Sequence, residues 1–153
     1  MGGTLVMEYF VKEKLKHEII GILLIALGIF LFLSLISYSP IDPSFFSYTS
    51  SKVKEIHNWM GIVGAYLSSL LYHGFGFPSF LIPMVIGFYA FCFILRWELK
   101  YPSIKLLGWW VILFATSTLF SLWLKHLRFY NQELLVGGII GEVFSRGLVR
   151  YFN

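Results

Sequence analysis

Apolar residues run without a single charge from Ile19 to Ile36, from Phe77 to Leu95 and from Leu106 to Leu124. At about 1.5 Å per helical residue, each run reaches roughly the 30 Å of a bilayer's hydrocarbon core. The pattern predicts an all-α integral membrane protein with three transmembrane helices, at 19–37, 77–95 and 105–124. It also predicts one or two interfacial amphipathic helices in the segments between and after the spans.

Those segments are legible in outline. Residues 1–18 form an amphipathic lead of mixed charge, with Val6, Tyr9, Phe10 and Leu15 among Lys and Glu, and are expected to be a partial surface helix. Gly21 and Gly28 are seven residues apart in the first span, so one face can take a close-packed helix. The span ends in SYSPIDPS at 37–44. Pro40 and Pro43 stop a helix, and Asp42 between them does not belong in hydrocarbon, so an exit turn at the membrane surface is expected.

From Trp59 to Leu95 no residue is charged, a stretch of 37 positions and too long for one span. Gly74, Gly76, Pro78 and Pro83 divide it. Trp59 to His73 then reads as a separate helix, short for crossing and suited to the interface or to the outer ends of the spans. Trp59, Ile62, Val63, Tyr66, Leu67, Leu70 and Leu71 make an apolar stripe at helical spacing. The opposite face holds Gly61, Gly64, Ala65, Ser68 and Ser69. Such small residues suit helix contact. With this helix at the outer interface, a cysteine at Ser68 or Ser69 is expected to react with an impermeant thiol reagent from outside.

After Leu124 a polar segment leads to LLVGGIIGEVFSRGLVRYFN, which carries Glu142, Arg146 and Arg150. It reads as an amphipathic helix and not a span, with Gly137, Gly138 and Gly141 opening it for a tight turn or close contact. The outer segments are thus 38–76 and 125–153.

Composition agrees with the membrane. Hydrophobic residues make up 58%, charged residues 13%, and mean hydropathy is +0.75. A soluble domain carries roughly 25% charge. The net charge of +4 is scattered and does not point to nucleic acid. Lys12, Lys14 and Lys16 before the first span resemble a signal-peptide n-region, but the apolar run is long for cleavage, and Pro40 follows the one small-residue candidate site. A retained helix is expected. The twelve Lys and Arg divide evenly between the two sides. Their density beside the spans places the N-terminus in the cytoplasm.

Chemistry is sparse. No span holds an ionisable residue, which disfavours proton- or ion-driven transport. Thr116-Ser117-Thr118 is expected to bond back to helix carbonyls or to hold helices together. Gly137 to Gly141 lacks the Lys and hydroxyl residue of a phosphate loop. His57, His73 and His126 have no metal-ligand spacing, Cys92 is a lone buried thiol, and no nucleophile–base pair is visible. No cofactor, no metal and no catalytic residue is expected.

The ordered set SYSPIDPS, NWMGIVGAYLSSLL at 58–71, FGFPSFLIP at 75–83 and GGIIG at 137–141 resembles the N-terminal membrane domain of FtsK/SpoIIIE DNA translocases. The resemblance implies a multi-pass protein of the bacterial inner membrane at the division septum, with its outer helices interfacial or periplasmic. It implies an anchor and oligomerisation module of a translocase acting in cell division and chromosome segregation. Its partners would be the bilayer, further copies of itself (a hexamer in the family) and septal membrane proteins, with DNA reached only through a motor domain. Pro40, Asp42, Pro43, Gly61, Gly64, Ala65, Gly76, Pro83, Gly137, Gly138 and Gly141 become candidates for partner or packing contact. The family's domain has four spans and a phosphate-loop motor; this sequence shows three spans and no motor motif. The alternative reading is a small multispan transporter or channel subunit.

Overall fold

The computed structural model describes residues 2–46, 56–97, 100–124, 126–129 and 132–152; the polar loop 47–55 lies outside them. Five α-helices follow in order: α1 (Gly2–Ile36), α2 (Gly61–Phe75), α3 (Leu81–Ile94), α4 (Pro102–Trp123) and α5 (Gly138–Phe152). A 3-10 turn over Phe77–Phe80 leads directly into α3. Two short strands, β1 (His126–Phe129) and β2 (Gln132–Leu135), pair antiparallel between α4 and α5, with His126 opposite Leu135. The hairpin lies where the sequence pattern gave only a polar segment.

Three stretches are long and apolar enough to cross a membrane: Lys14–Ile36, Phe77–Ile94 and Pro102–Trp123. They run up, down and up. Bulky apolar side chains cover the outside, among them Ile22 and Leu23 on α1, Met84 and Phe91 on α3, and Leu107 and Val111 on α4. Small and hydroxylated residues fill the inside, as expected when lipid is as apolar as Leu and close packing drives association.

Helix α1 is continuous from Gly2, so the lead and first span form one helix. No Gly or Pro lies between Lys12 and Ile20 to interrupt it. Lys14 and Glu18 add an i,i+4 pair at 4.0 Å, and Glu18 also lies 3.9 Å from Arg96 at the end of α3. These contacts tie α1 to α3 at the end opposite α2 and α5. Along the antiparallel pair, Gly21 faces Ala90 and Ile94, and Gly28 faces Pro83, Ile86 and Gly87. Pro83 is buried in the first turn of α3, where a missing N–H is tolerated. Arg96 and Tyr101 take left-handed φ values of 54° and 57°, turning the chain into α4, which starts on Pro102.

The small face of α2 is the buried one. Ala65, Ser68 and Ser69 are at most 2% exposed, whereas Trp59, Ile62 and Val63 are all more than half exposed. This corrects the expectation that Ser68 or Ser69 would accept a reagent from outside. Both lie inside the packed end of the molecule, because close helix approach selects small residues inward and leaves bulky ones to the surround. Helix α5 repeats the rule: Gly138, Gly141 and Ser145 are buried, and Ile139, Val143 and Phe144 are exposed.

Candidate functional site: the polar cap over the spans

Helices α2 and α5 close one end of the molecule, and two polar junctions hold them there. The first is built on Asp42, whose side chain is 2% exposed. Pro40 and Pro43 bracket it in the turn that follows α1. Its Oδ1 accepts from the backbone N–H of His57 at 2.9 Å and lies 3.1 Å from His57 Nδ1. Its Oδ2 accepts from the backbone N–H of Asn58 at 2.8 Å. Backbone donors to both oxygens of the carboxylate offset part of the cost of burying it.

Asn58 continues the network. It is buried, and its Nδ2 donates to the Ser34 carbonyl at 2.9 Å, with Ser68 Oγ at 3.3 Å and the Ser37 carbonyl at 3.4 Å. Its Oδ1 accepts from Met60 N–H at 3.0 Å. Ser37 Oγ accepts from Trp59 N–H at 3.1 Å. The last turn of α1 has carbonyls without helical partners, and the entry to α2 has N–H groups in the same state. Asn58 joins the two deficits. Gly64 then closes against Ser34, with room for no side chain: a Cβ there would lie 2.9 Å from Ser34 Oγ.

Aromatic rings cover this junction. Tyr38 and Tyr72 lie 4.6 Å apart, and Phe46 stacks on His73 at 4.3 Å. Burial raises the Tyr38 hydroxyl's pKa, against a lowering hydrogen bond from Ser69 and with a further rise from the charge on Asp42. Burial, and then Tyr38, push Tyr72 up to about 12. Both phenols stay neutral throughout the physiological range.

The second junction joins α2, α4 and α5 through backbone. Ser117 Oγ lies 2.8 Å from the Phe75 carbonyl and 2.6 Å from the Gly137 carbonyl. One hydroxyl proton serves two helix-end acceptors. Phe77 N–H donates to the Val136 carbonyl at 2.9 Å. Gly76 and Gly138 have φ of 67° and 66°, which a side chain rarely tolerates. A Cβ on Gly76 would strike Val136, one on Gly138 would strike Gly74, and one on Gly137 or Gly141 would strike the Ser117 carbonyl. The neighbouring hydroxyls are occupied within α4: Thr116 bonds Ile112 and Leu113 carbonyls, and Thr118 bonds the Phe114 carbonyl.

The structure thus gathers Pro40, Asp42, Pro43, Gly64 and Ala65 at the first junction and Gly76, Gly137, Gly138 and Gly141 at the second. Pro83 lies apart, between α1 and α3. Gly61 starts α2 with φ 67° and has nothing within 4 Å of a built Cβ. Sequence reasoning missed Asn58, Ser34 and Ser121. An Asn two residues before a helix that opens on Met60-Gly61 carried a signal, since Asn favours such capping positions. Among the described residues no group of His, Cys, Asp or Glu could hold a metal ion.

Three apolar helices bound at one end by a hydrogen-bonded polar cap define a multi-pass helical membrane protein. The family model described as the 4TM region of DNA translocase FtsK/SpoIIIE matches residues 13–153, so the chain belongs to that family. It is 34% identical over 153 residues to DNA translocase FtsK of Rickettsia bellii, covering 96% of this chain and 19% of the relative. It is 33% identical over 150 residues to that of Rickettsia prowazekii, covering 95% of this chain and 18% of the relative. With the protein of Shewanella oneidensis it shares 27% identity over 134 residues, 83% of this chain and 14% of the relative. The chain therefore spans a fifth or less of the length of these relatives. No solved structure matches it.

Proposed function

We propose that this chain is the membrane anchor and assembly module of an FtsK/SpoIIIE-type DNA translocase in the bacterial inner membrane. The observation that carries the reading is the family match over residues 13–153. Asp42, Asn58 and Ser117 each hold backbone groups. DNA is reached only through a motor domain that these residues do not encode. The N-terminus faces the cytoplasm and the cap of α2 and α5 faces the periplasm. There the cap meets further copies of the chain or membrane proteins of the septum. The transporter alternative loses one of its supports, since the Thr116 and Thr118 hydroxyls are bonded to their own helix.

A fluorescent fusion at the N-terminus, expressed in dividing cells, tests the reading. It is expected to concentrate at the septum. Uniform fluorescence around the whole membrane contradicts the septal role.

A further inference from the structure

Helices α3 and α4 form a hairpin whose arms scarcely touch. Helix α3 packs on α1 and α4 packs on α5, leaving a groove between them. Val85 and Ile86 of α3 form one wall, and Leu106, Trp109, Trp110 and Leu113 of α4 form the other. Its volume is about 190 Å³. An apolar cavity of roughly 150 Å³ stays dry and accepts a hydrocarbon the size of benzene. This groove is larger, and its walls carry no hydroxyl, amide or charged side chain, so it takes hydrocarbon and not water.

Charge marks one end of the groove. The α4 wall follows i, i+3, i+4, i+7 spacing, a single stripe that covers about 10 Å of the helix axis. Lys105 lies four residues before Trp109, so it stands on the same stripe at the loop end. Lys100 lies two residues before α4 begins. Both lysines are exposed, and among the described residues neither has an ion-pair partner. Arg96, by contrast, lies 3.9 Å from Glu18. The only acid from residue 96 to residue 105 is Glu98, against Arg96, Lys100 and Lys105, so the loop is net positive. A lysine in this position runs its methylenes along apolar surface and lifts its charge to headgroup level.

We infer that the α3–α4 groove seats one acyl chain of an anionic phospholipid, whose phosphate is held by Lys105 and Lys100. The apolar walls fix where the chain lies, and the cations fix which headgroup sits over it. A zwitterionic lipid fits the walls equally but brings no net charge to the two ammonium groups. A protein helix is the poorer occupant: with side chains it is about 10 Å across, and a groove of this volume admits a single extended chain. The hairpin is then a lipid-selective element, whichever side of the membrane its loop faces. Each cation near the headgroups is worth about fivefold in preference for anionic lipid.

Trp109 and Trp110 report the groove directly. With Trp59→Phe, Trp97→Phe and Trp123→Phe only these two indoles remain, and the chain is reconstituted in phosphatidylcholine nanodiscs. Phosphatidylglycerol or phosphatidylcholine with brominated acyl chains is then added at the same low mole fraction. Brominated phosphatidylglycerol is expected to quench with an apparent affinity about fivefold or more above that of the choline lipid. Lys100→Gln/Lys105→Gln is expected to abolish the preference, with helix content unchanged by circular dichroism. Val85→Phe, which narrows the groove and touches no charge, is expected to lower quenching by both lipids. A variant that keeps only Trp123, exposed at the far end of α4, is expected to respond alike to both headgroups. Equal quenching of Trp109 and Trp110 by the two lipids overturns the proposal, as does a preference that survives loss of both lysines. Quenching by neither lipid, with two chains in each disc, gives the groove to a second copy and overturns it as well. Septal fluorescence of the fusion is scored separately, so loss of this seat and loss of the anchoring role give different results.

Discussion

Helices α1 and α4 carry the same spacing of small residues and meet opposite fates. On α1 the glycines are filled: Gly21 lies under Ala90 and Ile94, and Gly28 under Pro83, Ile86 and Gly87. On α4 the matching Gly108 faces open space. What the two share is the hydroxyl near the cap, Ser34 or Ser121, against which a GxxG helix closes. In this protein, small residues report where backbones approach only when a partner is present; the polar residue at the helix end is the more constant element.

The contrast can be attacked from its strongest point downward. Asp42→Ala removes the acceptor of two backbone N–H groups, those of His57 and Asn58, the second of which is buried. The expected loss is about 3 kcal/mol, at the upper end for unsatisfied buried groups. Thermal unfolding in detergent reads it, and an unchanged midpoint would show that the first junction is not what holds α2. Gly137→Ala or Gly141→Ala forces a methyl into the Ser117 carbonyl and should cost about 1–3 kcal/mol as overpacking. The third comparison is direct. Gly21→Val should destabilise by about 2 kcal/mol as overpacking, whereas Gly108→Val should leave the unfolding midpoint of this chain in place. Equal effects at the two positions would erase the distinction between a filled and an open face.

The smallest effect is a pH dependence at the cap. Tyr38 and Tyr72 both titrate higher in the folded state than the ordinary phenol at 10, Tyr72 at about 12. Between these values the folded state holds protons that the unfolded state has released, so stability falls as pH rises. The contribution is fully present below pH 10 and is lost as pH climbs through about 12. Unfolding followed from pH 7 to 12 should be flat and then decline, and Tyr72→Phe should blunt the decline.

Much of this fold was legible in the sequence because a membrane span is a local property. A run of apolar residues without charge declares itself, and three helical stretches long and apolar enough to cross a membrane contain those runs. The motif GGIIG was equally readable as a place of close approach. The polar cap was not. Asp42 looks like a surface residue when only Pro40 and Pro43 are considered, and its donors arrive from His57 and Asn58, 15 and 16 residues on. Pairing over that distance leaves no periodic trace. The small face of α2 was readable as a contact face, but the expected reactivity of Ser68 and Ser69 was not met, because both are buried in that contact.

The central proposal is that α2 and α5 cap the spans on the outer side of the membrane, small face inward. Labelling intact spheroplasts with an impermeant thiol reagent tests it most directly, in a Cys92→Ser background with one cysteine at Ile41 or at Ser68. Ile41 is 45% exposed in the turn beside Asp42, and Ser68 is fully buried on the inward face of α2. Ile41→Cys should label in intact spheroplasts and Ser68→Cys should stay unlabelled until the protein is unfolded. Labelling of Ile41→Cys only after the membrane is permeabilised, or equal labelling of both positions from outside, would contradict the account.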